Sequence, residues 1–135
     1  HSTSNVNTMT QYAALAAIEG DDKPMKDMIE AFGRRRKAML EKLDQMKSLN
    51  LDYVTPDGAF YVMLLCDKLY GKSYNGKKIH GSMDVADMLL DYKQVALTPG
   101  VCFGDDDAVR LSYALSTKDM LEGLDRIAQF AAEVK

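Results

Sequence analysis

A chain of 135 residues, 47% hydrophobic and 27% charged, holds apolar material for one domain-sized core and has the composition of an ordinary globular protein. Its net charge of −3, with acids and bases mixed along the sequence, excludes the clustered basic surface of a nucleic-acid binder. No apolar run reaches membrane-spanning length and no secretory leader is legible, so no membrane partner is expected and the expected location is the cytoplasm.

Taken in order, residues 1–6 (HSTSNV) are polar and turn-forming. The chain opens at His1 without a methionine and enters a helical pattern almost at once, from which a piece of something longer is expected. Asn7 or Thr8 can cap a helix through MTQYAALAAIEG, ended by Gly20. So short and alanine-rich a helix needs a neighbour to pack on. Pro24 fits the first turn of a long helix over residues 24–49, where Met25, Met28, Ile29, Phe32, Met39, Leu40, Leu43 and Met46 keep a three-and-four spacing. These methionines read as core filler, and Gly33 within the helix suggests close packing. The basic run at residues 34–37 lies near Glu30 and Glu41 and reads as a solvated helix face.

Residues 51–55 read as a short strand and Pro56-Asp57-Gly58 as a turn. Residues 59–66 read as a strong strand whose uninterrupted apolar run implies cover on both faces. Residues 68–81 read as a polar loop; GKSYNGKK within it approaches a phosphate-binding loop but lacks the final Ser or Thr and the strand-to-helix setting. Ser82 can cap a helix over residues 83–93 that turns Val85, Ala86, Leu89 and Leu90 inward. A β-type run at residues 95–98 leads to a Pro99-Gly100 turn, an acidic tip at residues 105–107, and a second run at residues 109–115. Alternation puts Val109, Leu111, Tyr113 and Leu115 on one side and Arg110, Ser112 and Ala114 on the other. Ser116 and Asp119 form a capping box before a last helix with Met120, Leu124, Ile127, Ala131 and Val134 on one face. Cys66 and Cys102 lack CxxC spacing and read as reduced thiols, and no metal site is expected. The expected fold is α/β: a two-layer sandwich, with a small, mostly antiparallel sheet covered by helices.

Arg110 is the residue with the clearest chemistry. A guanidinium held on a strand among small side chains can donate two parallel hydrogen bonds to a carboxylate. The plainer alternative is an arginine that meets the acidic tip at residues 105–107.

Five segments resemble, in collinear order, the class I/II aminotransferases, pyridoxal-phosphate enzymes of fold type I, and within them the bacterial aspartate aminotransferase branch. HSTSNVNTMTQYAALAAIEG resembles the segment after the cofactor-lysine region, and AFGRRRKAMLEKL the helix joining the large and small domains. PDGAFYVML resembles the P-x-G-A-F-Y strand, and VALTPGVCFG the V-x-x-x-P-G-x-x-F-G loop. VRLSYALSTKDMLEGLDRI resembles the strand and final helix that carry the substrate arginine. The resemblance implies that residues 1–22 are the tail of the large cofactor-binding domain, 23–50 the interdomain helix and 51–135 the C-terminal small domain. It implies amino-acid and 2-oxo-acid substrates, of the aspartate/2-oxoglutarate type, and a homodimeric parent that includes an upstream domain. It assigns Arg110 to the substrate α-carboxylate, Phe60 to the active-site wall, and Thr3, Ser4 and Asn5 to the cofactor phosphate of the neighbouring subunit.

One departure stands out. The lysine that binds pyridoxal 5′-phosphate, in an S-x-S-K-type motif, belongs upstream of His1 and has no counterpart here; Lys118 in S-T-K-D is a helix first-turn residue. The segment alone is therefore expected to retain no cofactor and to be inactive. Two alternatives stay open: a non-catalytic binding module with the small-domain fold, and a C–S lyase-type relative.

Overall fold

The computed structural model of the chain describes residues 4–135 and has two compact units, one ending at Ala31 and the other running Phe32–Lys135. In the first, α1 (Thr8–Glu19) begins where the Asn7 side chain accepts a hydrogen bond from the Met9 N–H at 2.8 Å, satisfying a donor that the first turn leaves without a carbonyl. Gly20 ends the helix, and none of its residues is buried. The next helix, α2 (Lys23–Met46), carries Pro24 in its first turn. Its apolar stripe is buried only in its last part, through Met39, Leu43 and Met46. Met25, Met28 and Ile29, expected on the same buried stripe, are each more than half exposed. A Cβ added at Gly33 meets nothing within 4 Å, so close packing does not account for that glycine among the described residues.

The second unit is built on a four-stranded antiparallel sheet. Its strands are β1 (Asp52–Val54), β2 (Tyr61–Leu65), β5 (Thr98–Pro99) and β6 (Ala108–Ser112), in the order β1-β2-β6-β5, while β3 (Ser73–Tyr74) and β4 (Lys77–Lys78) form a separate ribbon. Val62 faces Leu111 and Leu64 faces Val109 across the central pair, and all four are buried. The period-two geometry of a strand turns this set to one side. There they join a core with Met39, Leu43 and Met46 of α2, Val85 and Leu89 of α3 (Ser82–Lys93), and Met120, Leu124, Ile127 and Phe130 of α4 (Thr117–Glu133). The result is the expected α/β arrangement, a small antiparallel sheet covered by helices. The opposite face carries Tyr61, Met63, Arg110 and Ser112, all half-buried, so the apolar run of β2 is not covered equally on both sides. Among the described residues no helix is long and apolar enough to cross a membrane.

Several local expectations are corrected. Residues 95–97 are not strand, and Pro99 lies in β5 while Gly100 opens a 3-10 turn, Gly100–Phe103, instead of a Pro-Gly hairpin turn. A Cβ at Gly100 would stand 2.2 Å from the Asp105 carbonyl oxygen and 2.3 Å from that of Ala108, so only glycine lets the loop fold back this closely. The loop at residues 68–81 contains the β3–β4 ribbon, turned by Asn75 (φ 47°) and Gly76 (φ 77°). Asn-Gly is the pair that tolerates two left-handed residues in a two-residue hairpin turn. Ser82 is the first residue of α3 and not its cap; Gly81 precedes it without a side-chain cap, and the Ser82 hydroxyl is engaged elsewhere. Leu90 is exposed and Met88 buried in its stead. The Ser116 cap of α4 is present: its hydroxyl oxygen accepts from the Asp119 N–H at 3.1 Å and the hydroxyl donates to the Asp119 carboxylate at 2.7 Å.

Candidate carboxylate-binding site

Arg110 sits in the middle of β6, opposite Met63 on one side and Thr98 on the other. Its guanidinium carbon lies 4.1 Å from the centre of the Tyr61 ring and 4.3 Å from that of Phe103. Two aromatic rings at this distance attract the cation through their ring quadrupoles. One terminal nitrogen donates to the Thr98 hydroxyl across a long 3.4 Å. Among the described residues no carboxylate lies within 4 Å of it, so the acidic tip does not neutralise it. A guanidinium flanked by two rings, with no carboxylate within 4 Å among the described residues, keeps donors available for bidentate capture of a carboxylate. Beside it opens a cleft of about 180 Å³ whose lining includes Tyr61, Thr98, Arg110, Ser112 and Asp119.

The loop that carries Phe103 is held at both ends. Asp106 accepts from the Ser82 N–H at 2.9 Å and the Ser82 hydroxyl at 2.7 Å, and that hydroxyl accepts from the Val101 N–H at 3.2 Å. The side-chain and backbone hydrogen bonds from Ser82 hold the Asp106 carboxyl below the usual aspartate value. The Tyr70 hydroxyl donates to the Asp106 carbonyl, and the Cys66 N–H donates to the Asp107 carbonyl at 2.9 Å. Burial pushes the Cys66 thiol up to about 11, so it is a packed apolar group at neutral pH and not a nucleophile.

The other residues singled out from the sequence stand differently. The Phe60 ring lies against Phe32 (centroids 5.9 Å apart) and Tyr61 (4.5 Å), which puts it one ring away from Arg110. Ser4 and Asn5 are exposed, and Thr3 lies outside the described residues. Tyr61 and Phe103, the two aromatic side chains beside the Arg110 guanidinium, are not among the residues that the sequence singles out. Tyr61 reaches Arg110 diagonally across the β2–β6 pair, because its direct partner is Ser112, and that register is not legible in the sequence. Phe103 was within reach, as the aromatic of the P-G-x-x-F-G segment.

The described residues do not by themselves fit pyridoxal 5′-phosphate. A lysine that captures an aldehyde needs its ammonium destabilised. Where the surroundings displace a lysine here, they do the reverse: Lys47 beside Asp44 and Lys93 beside Glu133 are held above the ordinary lysine value, chiefly by those hydrogen bonds. Lys118 is exposed in the first turn of α4.

The family model described as "Aminotransferase class I and II" matches residues 1–127. The chain is 39% identical over 135 residues to an aspartate aminotransferase of Streptomyces avermitilis, covering all of this chain and 33% of that protein. It is 37% identical over 129 residues to a probable aspartate/prephenate aminotransferase of Rickettsia typhi, covering 95% of this chain and 32% of that protein. The crystal structure of an aspartate aminotransferase from Rhizobium meliloti superposes with a TM-score of 0.91 at 33% identity, covering 99% of this chain and 33% of that one. The chain thus spans about a third of the length of the relatives it matches. With the helix-covered antiparallel sheet and the collinear motifs, these matches lead to one conclusion: the chain belongs to the class I and II aminotransferases.

Proposed function

We propose that this chain is the C-terminal third of a pyridoxal-phosphate-dependent aminotransferase that exchanges an amino group between aspartate and a 2-oxo acid, and that Arg110 holds the substrate α-carboxylate. One observation carries the assignment: the Arg110 guanidinium carbon lies 4.1 and 4.3 Å from two ring centroids and has no carboxylate within 4 Å among the described residues. The relatives' names, aspartate and aspartate/prephenate aminotransferase, support the substrate class.

In this reading residues 1–22 belong to the large domain, 23–50 form the bridging helix and 51–135 the small domain. Phe60 lines the wall behind Tyr61, while Thr3, Ser4 and Asn5 approach the cofactor phosphate of a partner subunit in a homodimer. The cofactor supplies the electron sink for the amino-group exchange, and its lysine anchor comes from the rest of the protein. This segment's part is to bind and orient the acid end of the substrate, which fixes the reacting carbon relative to groups elsewhere. Exposed Met9, Tyr12, Leu15 and Ile18 on α1 are consistent with a helix that the remainder of the protein covers.

The test is steady-state kinetics of the full-length protein with Arg110→Lys. An ammonium keeps the charge but loses the fork, and we predict a loss in kcat/KM of about 2–5 kcal/mol for aspartate, as for truncating a hydrogen-bonded charge contact. An unchanged kcat/KM would remove Arg110 from the site.

A further inference from the structure

We propose that Ser82 and Asp106 are positioning residues for Arg110, acting at a distance through Phe103. The inference rests on the assignment of Arg110 to the substrate carboxylate and adds how its planar fork is aimed. Phe103 is 54% exposed, so burial does not fix it in place. Its position over the guanidinium is set by its backbone, the 3-10 turn Gly100–Phe103. That turn is tied at one end by the Val101 N–H to the Ser82 hydroxyl, and in the acidic tip that follows it by Asp106 to the same serine.

Ser82 is fully buried, and its hydroxyl both accepts and donates, so a single side chain joins the two limbs of the loop to the start of α3. The fit is close: a Cβ at Gly81 would stand 2.7 Å from the Asp106 carboxylate. The opposite jaw, Tyr61, rides on the sheet and needs no such latch. The arginine is therefore held between one wall fixed by strand pairing and one fixed by the serine–aspartate latch.

The experiment measures binding of 2-oxoglutarate, and of the amide analogue of its α-carboxylate, to the full-length protein by calorimetry, with thermal stability recorded for each variant. Phe103→Leu removes the ring and is expected to weaken 2-oxoglutarate about 3- to 30-fold, with Phe103→Tyr restoring it and the amide unaffected. Asp106→Asn and Ser82→Ala are expected to weaken 2-oxoglutarate in the wild-type background but to add nothing to Phe103→Leu, because they act through that ring. Full additivity, or equal losses for the acid and the amide, would overturn the latch and leave only a stability role. If Arg110→Gln weakens 2-oxoglutarate while Phe103→Leu does not, the clamp is wrong and the arginine assignment stands. If Arg110→Gln changes nothing, both fall.

Discussion

At the scale of single residues, the segment before β2 holds a residue with positive φ that is neither glycine nor asparagine. Ala59 adopts φ 56°, a conformation that costs a residue with a Cβ of order 1 kcal/mol. The Tyr113 hydroxyl donates to the Ala59 carbonyl at 2.8 Å, and the Tyr113 N–H donates to the Phe60 carbonyl at 3.0 Å, so the residue that follows β6 holds the turn leading into the aromatic strand. We predict that Tyr113→Phe destabilises the fold by about 1 kcal/mol in denaturant unfolding, since it leaves that carbonyl without its partner. Ala59→Gly should be neutral or stabilising by up to about 1 kcal/mol, because glycine meets the left-handed angle without a steric penalty. Gly100→Ala is the opposite case. With backbone oxygens 2.2 and 2.3 Å from the new methyl, it should cost upwards of about 2 kcal/mol and displace the Phe103 loop.

At the scale of elements, helix ends and strand faces were legible because short-range chemistry sets them. The caps at Asn7 and Ser116 follow from one side chain meeting one or two nearby N–H groups. We predict that Ser116→Ala costs about 1 kcal/mol in thermal or denaturant unfolding. The alternation that put Arg110 opposite Val109 and Leu111 holds because a strand has a fixed period of two. What sequence periodicity missed depends on partners distant in the chain. The stripe on α2 continues past the point where the sheet and α4 stop covering it, so Met25, Met28 and Ile29 keep the pattern without the burial. Ser82 reads as a cap because it starts a helix, but its hydroxyl oxygen accepts from the distant Val101 N–H and the hydroxyl donates to Asp106, 24 residues away. The pairing of Tyr61 and Phe103 on Arg110 needs both the β2–β6 register and the folded-back Gly100 loop. Neither is encoded in local spacing.

At the scale of the molecule, hydrogen-bonded carboxylates shape the response to acid. Glu133 is held below its ordinary value first by Lys93 and then by Tyr74, joining the end of α4 to α3 and the β3–β4 ribbon. A carboxylate whose folded pKa is depressed stabilises the fold above its unfolded pKa and loses that stabilisation as pH falls through the folded one. Asp106 and Asp44 share the sign, their carboxyls lowered by Ser82 and by Lys47 respectively. Unfolding midpoints measured from pH 7 downward should therefore stay level until the ordinary carboxylate range and drop below it. Glu133→Gln should flatten part of the drop. Lys93, raised by Glu133, contributes below the ordinary lysine value and loses its contribution as pH rises through its higher folded value, so the same pair weakens again in strong alkali. The most direct test of the central claim is a crystal structure of the full-length protein with a dicarboxylate substrate analogue bound. The expected result is one carboxylate bidentate on Arg110 at about 2.7–2.9 Å, with the guanidinium still between Tyr61 and Phe103. A carboxylate held by another cation, with Arg110 left without an anion or turned from the cleft, would contradict the account.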